Sequence, residues 1–122
     1  MKVLSLGLPF FRDYHVLARY GGPHEIRSLS AQAGADFRFD PVAETLPQVL
    51  DRVTRAWGAP EMLLCWFPEN DPPPVGIEDA GIPTVAMAGD WNMFSPALRF
   101  NLGRYDVVLS DKAGVEVLRN EW

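Results

Sequence analysis

Pro83-Thr84-Val85-Ala86-Met87-Ala88-Gly89-Asp90-Trp91-Asn92 and, a little further on, Asp106-Val107-Val108-Leu109-Ser110-Asp111-Lys112 decide the reading of this chain. In each stretch an unbroken run of small and apolar residues stops at a small residue, Gly89 or Ser110, then gives way to polar groups and a helical pattern. Strands buried on both faces of a parallel sheet have this composition, because neither face needs to alternate toward water. The polar groups then fall at the carboxyl ends of the strands, where open α/β sheets bind their ligands.

Working outward, three more apolar runs precede these two. Residues 3–8 form a short strand broken by Pro9, which cannot donate to a sheet ladder. Residues 25–30 read as a strand of mixed polarity, suited to a place nearer the sheet edge, and 62–67 as a third strand closed by Pro68. Between them the period changes from two to three or four. Asp13 starts a helix to about Tyr20, stopped by Gly21-Gly22-Pro23. Asp40-Pro41 opens a second, in which Val42, Leu46, Val49, Leu50, Val53 and Trp57 share one apolar face, and Gly58-Ala59-Pro60 ends it. Asn70-Asp71-Pro72-Pro73-Pro74 is a stiff loop, 77–80 a helical turn, 95–102 a helix stopped by Gly103, and a last helix starts at Lys112.

Strand and helix thus alternate, with crossovers long enough to keep the strands parallel. The expected architecture is an α/β, Rossmann-like three-layer sandwich with a mostly parallel sheet of about five strands. The final helix is short and has no obvious cap, so residues 1–122 are expected to be one domain, the first part of a longer protein.

Composition narrows the function. The 122 residues are 48% hydrophobic, enough for one domain with a real core. Eleven Lys and Arg stand against 16 Asp and Glu, a formal charge of −5, and the cations are scattered. That is not the electrostatic footprint of a nucleic-acid binder. Cys65 is alone and sits inside an apolar run, which fits a reducing compartment. No apolar run approaches the roughly 20 residues of a membrane span, and the first residues are too short for a signal peptide. A soluble, cytoplasmic protein is expected.

At the carboxyl rim the expected ligand contacts are Gly7, Glu69, Asp71, Gly89, Asp90, Trp91, Asn92, Ser110 and Lys112. Gly7 and Gly89 let a ligand approach the backbone, or serve only as turn glycines. Asp90-Trp91-Asn92 places an acid, a stacking surface and an amide side by side, a combination that recognises sugars and that any amphipathic ligand can use; equally, Asp90 or Asn92 caps the next helix and Trp91 belongs to the core. Glu69 and Asp71 can act as base or hydroxyl acceptor, or are solvated loop residues. His15 and His24 have no Cys or acidic residue at ligand spacing, which speaks against a metal. The first turn, Gly7-Leu8-Pro9-Phe10-Phe11-Arg12, lacks the glycine patterns of dinucleotide and P-loop sites, and no Gly-x-Ser-x-Gly elbow is present.

Met62-Leu63-Leu64-Cys65-Trp66-Phe67-Pro68-Glu69, Gly81-Ile82-Pro83-Thr84-Val85-Ala86 with Gly89-Asp90-Trp91-Asn92, and Arg104-Tyr105-Asp106-Val107-Val108-Leu109-Ser110-Asp111 together resemble the N-terminal half of bacterial glycosyltransferases of the GT-B type, closest to the spore-maturation CgeB-like group. The resemblance covers about residues 60–118, and residues 1–58 only by element order. It implies an acceptor-binding lobe for a sugar or glycan, with no cofactor of its own and a nucleotide-sugar donor held by a second lobe outside this chain. By position alone it puts His15 where some such enzymes keep a catalytic base, although the surrounding motif is absent. The isolated chain is then expected to be inactive. The alternative is a non-catalytic, flavodoxin-like binding or dimerisation module that uses Phe10-Phe11 and residues 91–94 as a partner surface, giving a possible homodimer.

Overall fold

The computed structural model describes residues 1–9, 23–68 and 71–120; the helix expected over 13–20 lies outside the described residues. Among the described residues six strands form one sheet: β1 (Lys2–Leu6), β2 (Glu25–Ser30), β3 (Phe37–Arg38), β4 (Met62–Trp66), β5 (Thr84–Met87) and β6 (Val107–Leu109). Every pairing is parallel and the order is β3-β2-β1-β4-β5-β6. The fold is therefore α/β and Rossmann-like, with one strand more than the five expected. The addition is β3, whose two residues are too few for any periodicity to register.

Three described helices join the strands: α1 (Leu46–Trp57), α2 (Trp91–Asn101) and α3 (Lys112–Asn120), with 3-10 turns at Ile77–Asp79 and Leu102–Arg104. None of the described helices is long and apolar enough to cross a membrane. From β1 the chain steps outward to β2 and β3, and α1 then carries it back over the sheet to β4, β5 and β6. Right-handed crossovers that step in one direction put their helices on one face. Accordingly Leu46, Val49, Leu50 and Val53 of α1, Ile77, Leu98 of α2, Leu102 and Leu118 of α3 all join one core with Leu4, Leu63, Cys65 and Ala86 of the sheet. The alternate residues Val3, Leu64 and Val85 point the other way and form a second, smaller cluster.

The second helix begins later than the apolar spacing suggests. Asp40 makes a turn of its own, its Oδ1 accepting from the N–H of Val42 (2.9 Å) and Ala43 (3.2 Å). Val42, counted on the apolar face, is 94% exposed. The helix starts after Thr45, whose N–H is capped by Gln48 Oε1 at 2.9 Å, with Pro47 in the first turn. At the far end Lys2 Nζ donates to the Trp57 carbonyl at 2.6 Å, and Gly58 turns the chain with φ 97°.

Both edge strands are fastened by the same device. Asp36, just before β3, accepts from Ser28 N (2.8 Å) and Oγ (2.9 Å) with Oδ2, while its own N–H donates to Ser28 Oγ at 2.9 Å. Asp106, just before β6, accepts from Thr84 N (2.8 Å) and Oγ1 (2.9 Å), and its N–H donates to Thr84 Oγ1 at 3.0 Å. Ser28 and Thr84 are both buried, so each hydroxyl needs these bonds to avoid a desolvation cost.

Candidate functional site at the carboxyl rim

The strand order changes direction between β1 and β4, and connections leave that point in opposite directions. A crevice opens there in any doubly wound sheet. In this chain a cavity of about 160 Å³ opens beside that point, bounded by Leu6, Gly7, Ser30 and Gln32 at the ends of β1 and β2, Phe39 after β3, and Asp71 and Pro72 in the loop after β4. Gly7 has φ 130°, a conformation that L side chains rarely adopt, and its N–H donates to the Leu29 carbonyl at 3.2 Å. A Cβ at this position would lie 3.5 Å from the Trp66 carbonyl oxygen and 3.9 Å from Asp71 Oδ2, so the crevice floor is bare backbone facing a carboxylate.

Asp71 is exposed as a residue, but its carboxylate leans on Gly7, and this partial burial raises its pKa above the ordinary aspartate value. Its negative charge also reaches the buried Tyr105 phenol below, whose pKa burial and then Cys65 push far upward. Asp71 is positioned through Phe67. The Asp71 N–H donates to the Phe67 carbonyl at 3.3 Å, and the Phe67 N–H donates to the Met87 carbonyl at 3.3 Å. Phe67 adopts φ 53°, left-handed backbone that is costly for a bulky residue and stands immediately before Pro68. Its ring fills the space above Gly89, where a Cβ would come within 2.9 Å of Cε1. Gly89 therefore serves as the seat of an aromatic ring, and through it the turn after β5 supports the crevice beside β1.

A second cavity of about 150 Å³ lies at the ends of β5 and β6, lined by Met87, Ala88, Gly89, Leu109, Ser110 and Asp111. Its polar groups are largely committed to the fold. Ser110 Oγ donates to the Ala88 carbonyl at 2.9 Å. Asp111 Oδ1 accepts from the Gly114 N–H at 2.7 Å, capping α3, and this bond, followed by one from the Trp91 indole, holds its carboxyl below the usual aspartate range. Gly114 has no room for a side chain: a Cβ would stand 2.2 Å from Ser110 Oγ and 2.6 Å from Trp91 Cδ1.

Gly7 and Asp71 thus share the first crevice, and Gly89 and Ser110 share the second. Asp90, Trp91 and Asn92 open α2, Trp91 packing against the main core and Asn92 facing solvent; Lys112 is exposed in the first turn of α3. His15 and Glu69 lie outside the described residues. Two contributors are absent from the list of expected contacts. Phe67 carries no sequence signal, because a residue before proline is ordinarily extended. Asp111 does carry one, an acid three residues before Gly114 at a helix start.

No protein family, curated protein or solved structure matches the chain.

Proposed function

We propose that the crevice over the ends of β1 and β2, rimmed by the loop after β4, binds a hydroxyl-bearing acceptor of the sugar or glycan class, as the acceptor lobe of a glycosyltransferase. The observation that carries this reading is the Asp71 carboxylate, made more basic by partial burial and facing the bare backbone of Gly7. A carboxylate in that setting accepts a hydrogen bond from a hydroxyl, and its raised pKa suits it to draw a proton from an attacking oxygen. Ser30 and Gln32 on the opposite wall offer further polar groups. The nucleotide-sugar donor and the lobe that would hold it enter from the resemblance in residues 60–118.

The test is a heteronuclear NMR titration of the chain with a panel of monosaccharides, including glucose, mannose and N-acetylglucosamine. Saturable shifts at Gly7, Ser30, Gln32 and Asp71 are expected for at least one sugar, and Asp71→Asn should weaken binding about tenfold, the effect of losing one charge-assisted hydrogen bond. A silent panel, or a variant that binds as well as the parent, would remove the assignment.

A second reading, the non-catalytic binding or dimerisation module, is favoured by Val107 and Leu109, 45% and 47% exposed on the outer strand. Of the residues first expected to form that surface, Trp91 packs inward, and Phe10 and Phe11 lie outside the described residues. Sedimentation equilibrium separates the two readings, since the acceptor lobe requires no self-association.

A further inference from the structure

Another cavity lies away from the crevice. It measures about 280 Å³ and lies between α3, β6 and the turn at Leu102–Arg104, on the face opposite exposed Val107 and Leu109. Leu102, Val108, Val115 and Leu118 make its walls, and Ser110 and Arg119 are its polar groups. Among the described residues the Arg119 guanidinium has no hydrogen-bond or ion-pair partner. The Ser110 hydroxyl spends its proton on the Ala88 carbonyl and keeps its acceptor lone pairs.

We infer that this cavity is a second ligand site, for a small carboxylate with an apolar body. Apolar walls with a few placed polar groups are the usual construction of small-molecule sites. Arg119 sets the sign of the charge, because a guanidinium pairs with a carboxylate through two parallel hydrogen bonds. The volume sets the size. At about 30 Å³ for each water-sized group the cavity takes roughly nine of them, which matches a short aliphatic or single-ring acid. An arginine in the last turn of a helix also steadies the helix dipole, but that role needs only a cation at the helix end and gives no reason for an apolar hollow beneath it.

Hexanoate and 1-hexanol are matched probes that differ in the charged group. In an NMR titration of the chain, hexanoate should shift Val108, Ser110, Val115 and Leu118 saturably and bind about tenfold more tightly than hexanol. Arg119→Gln should abolish that preference and leave hexanol binding unchanged; Arg119 is exposed, so the fold should survive. Val115→Phe should fill the cavity and remove both ligands. Equal binding of the two probes by the parent chain, absence of saturable shifts at these residues, or a hexanoate response that appears only on dilution because a second copy of the chain covers the cavity at higher concentration, would each overturn the inference.

Discussion

At the scale of single residues, Asp71 combines two opposed properties. Its pKa is raised in the folded chain, so the folded state holds the proton more tightly than the unfolded one. The stability that this group contributes is present below the ordinary aspartate pKa of 3.8 and is lost as pH rises through the folded value. Asp71→Asn should therefore be at least as stable as the parent at pH 7 and should lose the gain that the parent shows on acidification toward that value. Urea midpoints at pH 3.5 and 7 decide the matter; a variant clearly weaker at pH 7 would mark Asp71 as structural. Asp111 is the contrast: its carboxyl is held low by the Gly114 N–H and the Trp91 indole, so it stabilises the fold when ionised, and that contribution is lost as pH falls.

Among elements, α1 shows how far periodicity reaches. Leu46, Val49, Leu50 and Val53 are buried as their spacing requires, and Gly58 ends the helix where expected. Its start was legible too, in Thr45, Pro47 and Gln48, but the apolar letter Val42 overrode the capping signal. Leu46→Ala should cost about 2–5 kcal/mol and Val42→Ala close to nothing, as measured by urea denaturation. Strands β1, β4, β5 and β6 were legible from continuous apolar runs, and β2 from a stretch of mixed polarity, to within a residue or two at their ends. β3 was not, because its place comes from Asp36 bonding to Ser28 rather than from its own two residues. The rim residues were legible as a group for the same reason as the strands: they follow the apolar runs. Which of them face a cavity was not, since that depends on the backbone turn at Phe67 and on the inward packing of Trp91. α3 offers a sharper test. Alanine is the better helix former by about 1 kcal/mol, yet Gly114→Ala should destabilise by about 1–3 kcal/mol, because its Cβ would enter Ser110 and Trp91. A stabilised variant would show that α3 docks differently.

Across the whole molecule, one core spans both halves of the sheet, as Leu29 of β2 and Leu98 of α2 belong to the same cluster. Central strands should then open only with global unfolding. Amide hydrogen exchange is expected to be slowest in β1, β4 and β5 and fastest in β3 and β6, and comparable rates in all six would contradict a single shared core. The two carboxylate fastenings explain why such short outer strands stay in place. A strand of two or three residues makes too few ladder bonds to choose its own alignment, and slipping by one position would turn Val108 outward and bring Val107 and Leu109 in. Alignment at both margins is thus delegated to an acid and a hydroxyl. Substitution there should follow an inverted rule: the apolar letters of the outer strands are interchangeable, while Asp36 with Ser28, and Asp106 with Thr84, can be replaced only in concert.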